Sequence, residues 1–192
     1  MVNFIIVVVS VVILCLYLVD LKKHKLNIRT MVPIAMLTAL SYILHMIQFI
    51  KYPQGGGITL LSMMPIMLLS LLYGRVAGVT GGLILGLFKL LNGGFIIHPL
   101  QLLLDYVFSN MALGLAGVFG NDKKIKIIWG CLLSSSLSVF ISIISGVVFF
   151  SQYAPPGMNV WLYSFIYNFT SAGVEGILTV IVISTLPIKR FI

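Results

Sequence analysis

Asp105 lies deep within an apolar segment of this sequence, in the run HPLQLLLDY at 98–106. An ionised carboxylate facing lipid costs several kcal/mol, so an acid at this depth usually faces a bundle interior or a polar cavity. Gln101 lies four residues before Asp105 and Ser109 four residues after it, which places the three side chains on one helix face. This stripe predicts a ligand-contacting face, with an interhelical hydrogen-bond clamp as the alternative.

A second polar face is predicted on the last apolar segment. Asn168, Ser171 and Glu175 follow each other at spacings that keep them on one side of a helix. Glu175 is the second acid within an apolar segment. We expect it either to contact a ligand or to hydrogen-bond a neighbouring helix, because its location alone only sets the default hypothesis of a functional site.

Aromatic residues gather near one set of segment ends. Trp and Tyr favour the membrane interface, so many of them are expected in an interfacial belt. Rings that face inward near Asp105 would attract positive charge through their faces. A carboxylate combined with aromatic faces is suited to a cationic heteroaromatic molecule. The aromatic residues are Tyr52, Phe95, Tyr106, Phe149, Phe150, Tyr153, Trp161, Tyr163 and Tyr167.

Signatures of catalysis, of metal binding and of cofactor binding are missing from the sequence. It contains no phosphate-binding Gly-x4-Gly-Lys-Ser/Thr, no His-Glu-x-x-His and no Gly-x-Ser-x-Gly. His45 and His98 have no second ligand at chelating spacing, and Cys15 and Cys131 lie in apolar segments. We therefore predict a protein that is not an enzyme and that uses no cofactor or metal.

The composition is that of an integral membrane protein. Of the 192 residues, 60% are hydrophobic and 8% are charged, with a mean hydropathy of +1.15. Soluble domains have about 25% charged residues, and a membrane-spanning helix needs about 20 residues. The chain therefore predicts an all-α, multi-pass protein of the cell membrane. Its apolar segments run over 2–19, 31–50, 58–73, 76–92, 98–119, 126–150 and 159–187.

The basic residues act as topology signals and do not form a nucleic-acid surface. The net charge is +8, but Lys and Arg lie at segment ends. If the seven segments alternate, ten basic residues fall on one side, which predicts an external N-terminus and a cytoplasmic C-terminus. Lys51 and Lys89 lie on or near the other side. The ten residues are Lys22, Lys23, Lys25, Arg29, Arg75, Lys123, Lys124, Lys126, Lys189 and Arg190.

Two features predict the organisation and packing of the helices. The first segment lacks a basic n-region and a cleavage site, so we expect a retained anchor rather than a signal peptide. Residues 1–26 are predicted to be this anchor with its basic linker, and 27–192 the main domain. Gly74, Gly78, Gly82 and Gly86 recur every fourth position, which favours close helix packing.

The ordered set of motifs resembles the thiamine-specific substrate-binding subunits, or S-components, of energy-coupling factor transporters. The motifs are PQGG at 53–56, MPI at 64–66, GRVAG at 74–78, HPLQLLLDY at 98–106, SGVVFF at 145–150 and WLYSFIYN at 161–168. The resemblance covers about residue 27 to the C-terminus. It implies a six-helix bundle with an outward-facing ligand pocket, to which the N-terminal helix is an addition.

The resemblance also implies partners and site residues. Thiamine or a related vitamin would be the ligand, and a transmembrane coupling protein with two cytoplasmic ATPases would power transport. Ala35 and Ala39 correspond to the surface that docks the coupling protein. The ligand would contact Asp105, Tyr106, Phe150, Tyr163 and Asn168, and the polar stripes add Gln101 and Glu175.

Two alternatives to a thiamine-binding subunit remain open at this point. The chain departs from the family pattern at Leu60, Ser142 and Phe150, where some relatives have other ligand-contacting residues. The same fold could therefore bind another small heterocycle, such as a pyrimidine precursor or another B vitamin. A membrane structural or assembly protein, whose polar residues serve only as interhelical contacts, is the alternative outside transport.

Overall fold

Seven helices and one β-hairpin form the part of the chain that the computed structural model describes, residues 2–24 and 26–188. Three of the basic residues invoked for topology, Lys25, Lys189 and Arg190, lie outside the described residues. The first four helices are α1 (Val2–Lys23), α2 (Ile28–Met46), α3 (Met64–Tyr73) and α4 (Arg75–Leu91). Strands β1 (Gln48–Lys51) and β2 (Gly57–Thr59) lie between α2 and α3.

Two of the remaining three helices contain a turn of π-helix. Helix α5 runs over 99–113 and consists of Pro99–Leu102, the π-turn Leu103–Phe108 and Ser109–Leu113. Helix α6 is Lys124–Phe149, followed by a single 3₁₀ turn at Ser151–Tyr153. Helix α7 (Val160–Thr185) consists of Val160–Asn168, the π-turn Phe169–Gly173 and Val174–Thr185. Single π-turns inside helices occur frequently at functional sites.

The predicted all-α bundle with one additional N-terminal helix is confirmed. Helices α1, α2, α6 and α7 are each long and apolar enough to cross a membrane. The main core lies where α3 meets α4, α5, α6 and α7. It is formed by Met63, Ile66, Met67, Leu71, Leu85, Leu113, Ala116, Ile127, Cys131, Val180, Ile183 and Ile188. Cys131 is buried in this core, and Cys15 is exposed on α1.

The hairpin was not predicted, and it shortens the neighbouring helices. The strands pair antiparallel, with Ile50 opposite Ile58 and Lys51 opposite Gly57. The third apolar segment, predicted as 58–73, is helical only from Met64, because its first residues pair in β2. Leu61 has a φ of 55°, which turns the chain sharply, and Pro65 then suits the first turn of α3.

The glycine repeat packs α4 against α5, as predicted, with one exception. A Cβ at Gly82 or Gly86 would collide with the main-chain carbonyl of Asn110 or Tyr106, respectively. Gly78 similarly faces Ser70 and the Gly114 carbonyl. Gly74 does not belong to this face. It has a φ of 91° and forms the one-residue turn between α3 and α4, where a Cβ would meet nothing within 4 Å.

Helix α1 lies on the outside of the bundle against α4 and α5. Tyr17 shares a hydrogen bond of 2.9 Å with Thr80, and Arg75 pairs with Asp20 at 2.6 Å. Leu14 and Tyr17 pack on the α5 cluster that includes Phe108. Apart from the buried Ile6 and Ser10, α1 mostly exposes apolar side chains, as expected of a helix that faces lipid.

Candidate ligand-binding site

A cavity of about 530 Å³ opens at the end of the bundle that carries the hairpin, which we call the hairpin end. It is lined by the hairpin, the C-terminal part of α4, α5, α6 and α7, together with residues 92–95 and Phe150 of the connecting loops. Small-molecule sites typically have volumes of about 300–1,000 Å³ and combine apolar walls with a few polar groups. The cavity is therefore large enough to hold a small heterocyclic ligand.

Gln101 braces Asp105 within the cavity wall. Its side-chain amide donates to Oδ2 of Asp105 at 2.8 Å and to the carbonyl of Phe95 at 3.1 Å. Its Oε1 accepts from the amide of Ile97 at 3.2 Å. Helix α5, which sets the four-residue spacing of Gln101 and Asp105, is capped at its start by His98. The Nδ1 of His98 accepts from the amide of Leu100 at 3.1 Å. Gln101 thus fixes the orientation of the acid and ties the loop before α5 to it.

The π-turn of α5 is stabilised by side chains that follow it. Ser109 donates from its hydroxyl to the carbonyl of Asp105 at 2.5 Å. Asn110 donates from Nδ2 to the carbonyls of Asp105 at 3.2 Å and Tyr106 at 2.9 Å. Because a π-turn shifts the regular backbone bonding, these side chains satisfy carbonyls next to the cavity. The arrangement holds both Asp105 and Tyr106 at the cavity wall.

Glu175 is buried and its carboxylate is surrounded by protein donors. Oε2 accepts from the hydroxyl of Thr59 at 2.6 Å and from the Thr59 amide at 3.3 Å. Oε1 accepts from the hydroxyl of Ser62 at 2.8 Å and from the amide of Met63 at 3.2 Å. Of the two roles left open for Glu175, this geometry favours the structural one, since the acid anchors the segment after β2 to α7.

Aromatic rings line the mouth of the cavity. Phe95 contacts Phe150 and Tyr153, with ring centroids 6.1 and 6.3 Å apart. Across the mouth, Tyr167 packs on Tyr52 at 5.3 Å, and its hydroxyl accepts from the amide of Gly56 at 3.1 Å. The rings provide flat apolar faces for stacking, and the Gly56 contact ties the hairpin to α7.

Asn168 presents a free acceptor to the cavity. Its Nδ2 donates to the carbonyl of Ser164 at 2.9 Å, and Ser164 in turn donates to the carbonyl of Ile143 at 2.8 Å. These bonds orient the amide so that Oδ1 has no partner within the described ranges 2–24 and 26–188. An unpartnered amide oxygen in a cavity wall is available to accept from a ligand donor.

Comparison with known proteins agrees with this architecture. Residues 31–191 match the family model described as thiamine transporter protein. The chain belongs to this family. It is 36% identical to the thiamine transporter ThiT of Bacillus subtilis over 155 residues, which cover 73% of this chain and 80% of that relative. It is 30% identical to ThiT of Lacticaseibacillus paracasei over 185 residues, with coverage of 86% and 90%.

A solved structure of ThiT from Listeria monocytogenes has the same fold as this member of the thiamine transporter protein family. Its TM-score is 0.74 at 24% identity, and the match covers 85% of this chain and 96% of that chain. The curated relatives are named as transporters, so the prediction that the protein is not an enzyme is confirmed. The family match begins after α1, so the additional helix lies outside the matched residues.

The structure brings together all of the predicted ligand-contacting residues of this family member. Their contact with a ligand stays a prediction, and the polar atoms of two of them already have protein partners, as described for Gln101 and Glu175. Ser109, Ser171 and Ser142 also line the cavity. The predicted residues in its wall are Gln101, Asp105, Tyr106, Phe150, Tyr163, Asn168 and Glu175.

Lys89 and Asn110 are among the cavity residues that the sequence analysis did not predict. From the charge pattern alone, Lys89 is expected on or near the external side of the membrane. A signal was nevertheless present, since Lys89 lies three positions after Gly86 and therefore on the glycine face that packs inward. Asn110 follows Ser109 on α5, but the sequence contains no sign of the π-turn that it completes.

Proposed function

We propose that this family member captures thiamine from outside the cell as the substrate-binding subunit of an energy-coupling factor importer. The observation that carries the proposal is the position of Asp105. Its carboxylate is held by Gln101 in the wall of a cavity whose mouth is lined by aromatic rings. The family membership supports thiamine as the ligand, because its curated relatives are thiamine transporters.

The cavity chemistry suits thiamine. Its thiazolium ring carries a positive charge, and its aminopyrimidine ring carries hydrogen-bond donors and acceptors. A carboxylate stabilises a cation strongly in a site that excludes water, and aromatic faces stack on flat cationic rings. In this proposal Asp105 contacts the cationic or amino group, Phe150 and Tyr163 contact ring faces, and Asn168 accepts from a ligand N–H.

The outer face of α2 supports docking of a coupling protein. Ala35 and Ala39 are both exposed on this helix, one turn apart. Small side chains at this spacing allow another helix to approach closely. We propose that a transmembrane coupling protein packs here and that two cytoplasmic ATPases supply the energy.

The orientation that we propose places the hairpin end outside. The N-terminus then lies outside and the C-terminus in the cytoplasm, with 27–192 as the S-component domain and 1–26 as an additional anchor. Basic residues at the opposite end of the bundle support this orientation, because short cytoplasmic loops are enriched in Lys and Arg. They include Lys22, Lys23, Arg75, Lys123, Lys124 and Lys126.

Equilibrium binding to the full-length protein in detergent tests the proposed ligand. Thiamine, its pyrimidine precursor and a panel of other B vitamins are titrated by calorimetry, with native mass spectrometry to establish one ligand per chain. Saturable binding of thiamine above the rest of the panel is the expected result. Binding of a different panel member would retain the transporter class and replace the ligand. Absence of binding to every member of the panel would contradict the capture of a vitamin.

A second ligand class is supported by the cavity wall at Ser142. The side chain there is small, and the main-chain carbonyl of Ser142 accepts from Asn168 at 3.4 Å. Some members of the family that the sequence resembles have His at this place, so the cavity of this chain could accept a differently substituted heterocycle. The Ser142→His variant separates the two cases. Increased affinity of this variant for thiamine would support thiamine as the ligand. Loss of binding of a different panel member would support that member as the ligand instead.

A further inference from the structure

Lys89 extends from α4 into the wall of the cavity. It lies on the face of the helix that packs inward, three residues after Gly86, and it is only partly exposed. Among the described residues its ammonium has one hydrogen-bond partner, Oδ1 of Asn110 at 2.9 Å. An ammonium group can donate three hydrogen bonds, so this contact leaves donor capacity directed at the cavity.

The orientation of Asn110 is determined by α5 rather than by Lys89. Its Nδ2 donates to the carbonyls of Asp105 and Tyr106, which belong to the π-turn. An amide whose nitrogen is committed to two carbonyls must present its oxygen to the other side. Asn110 therefore offers Lys89 a fixed acceptor, which holds the ammonium at the cavity wall.

No acid of the chain forms an ion pair with Lys89. The sequence has four acids, and all four lie within residues 2–24 and 26–188. Asp20 pairs with Arg75 and Asp122 with Lys126. Glu175 accepts from Thr59, Ser62 and Met63, and Asp105 accepts from Gln101. None of the four forms an ion pair with Lys89 within 4 Å in the described structure.

An ammonium group without an ion-pair partner is costly inside a membrane protein. A structural role alone would be filled at lower cost by a neutral donor such as Gln, which can also bond to an amide oxygen. Membrane-embedded charged residues are therefore expected to face substrates or ions. The Lys89 ammonium fits a ligand atom that accepts strongly, such as a hydroxyl, carboxylate or phosphate oxygen.

We infer that Lys89 binds an oxygen acceptor of the captured ligand and thereby selects ligands that carry one. The inference rests on the proposed function. Thiamine carries a hydroxyethyl arm, and its phosphate esters carry anionic oxygens at the same position. The ligand would then lie with its cationic or amino group towards Asp105 and its oxygen-bearing arm towards Lys89.

Binding of three matched ligands tests this inference. Thiamine, thiamine monophosphate and an analogue with an ethyl group in place of the hydroxyethyl arm are titrated against the wild type, Lys89→Gln and Lys89→Arg. Lys126→Gln serves as the control, because Lys126 lies at the opposite end of the bundle. Gln at position 89 can still donate to Asn110 but carries no charge.

The expected result is a selective loss. Lys89→Gln should lower the affinity for thiamine by about tenfold and the affinity for the monophosphate by more. The affinity for the ethyl analogue should fall by less than about twofold. Lys89→Arg should keep the preference for oxygen-bearing ligands even if all affinities fall. A wild type that favours the monophosphate over thiamine would identify phosphate as the preferred acceptor, and the reverse order would identify the hydroxyl.

Other outcomes would overturn the inference. Equal loss of all three ligands in Lys89→Gln would show that Lys89 only supports Asn110, and unchanged affinities would show that it does not face the ligand. If Lys89→Gln does not yield folded protein, a loss of ligand discrimination in Lys89→Arg would serve as the contradicting result. If the wild type binds thiamine and the Lys89 variants give one of these contradicting results, only this inference is overturned. If the wild type binds none of the three ligands, the proposed function itself is contradicted.

Discussion

Glu175 accepts a hydrogen bond from the hydroxyl of Thr59 at 2.6 Å, although the two residues are 116 positions apart. The contact joins the last helix to the end of the hairpin. The same carboxylate also accepts from Ser62 and Met63, so the short segment that leads into α3 is held as a unit. The base of the hairpin at the cavity is thus positioned by one acid on α7.

Replacement of Glu175 by Ala should destabilise the protein. The change would leave several buried donors without an acceptor, and each such group costs about 1–3 kcal/mol. We expect a total loss of about 3 kcal/mol or more, with Glu175→Gln less affected. Thermal unfolding in detergent measures this loss, and Thr185→Ala on the exposed side of α7 is the control. Unchanged stability with lost ligand binding would instead make Glu175 a ligand-contacting residue.

Asp105→Asn should weaken binding of a cationic ligand. Asn can still accept from Gln101, so the local structure is retained, but the charge is removed. A charge-assisted contact contributes about 2 kcal/mol, which corresponds to about thirtyfold in affinity. Calorimetric titration with thiamine and a neutral analogue measures the effect. Equal affinities of wild type and variant for thiamine would argue that Asp105 is only an interhelical contact.

Gly86→Ala should separate α4 from α5. The added Cβ would collide with the carbonyl of Tyr106, a rigid main-chain atom. Overpacking of this kind costs about 1–3 kcal/mol, and the shift should also move Asn110 and weaken ligand binding. Thermal unfolding and ligand titration report the two effects. Leu87→Ala changes an exposed residue of the same helix and should leave both nearly unaltered.

Tyr167→Phe should accelerate ligand release. The variant removes the hydroxyl that accepts from the amide of Gly56 but keeps the ring that packs on Tyr52. A single hydrogen bond contributes about 1 kcal/mol, so we expect the dissociation rate to rise by about fivefold. Stopped-flow displacement measures the rate, with Tyr73→Phe at the opposite end as the control. A dissociation rate equal to that of the wild type would show that this contact does not retain the ligand.

Removal of residues 2–23 should preserve ligand binding. Within the described structure, α1 contributes no residue to the cavity wall. Its contacts with the bundle include Tyr17 with Thr80 and Asp20 with Arg75, so the truncated protein should unfold at a lower temperature. Affinity for thiamine is expected to stay within about twofold of the wild type. A large loss would contradict the division into an anchor, 1–26, and a binding domain, 27–192.

The fold class and much of the cavity could be predicted from the sequence because their signals are local. Apolar segments of spanning length mark the helices, and the spacing of Gln101 and Asp105 follows directly from helix geometry. The glycine repeat from Gly78 to Gly86 likewise predicts a close helix contact. The boundaries were less accurate where another element intervenes, as at 58–63, where the chain forms β2 and a turn instead of helix.

The sequence by itself therefore determined a multi-pass helical bundle, a buried acid on one helix and a tightly packing glycine face. Only the tertiary structure decided which polar groups meet. It assigned Glu175 to donors of a segment more than 100 residues away, and it brought Lys89 to Asn110 and into the cavity. The physical reason is that helix periodicity orients a side chain on its own element, whereas its partner is chosen by how distant elements pack.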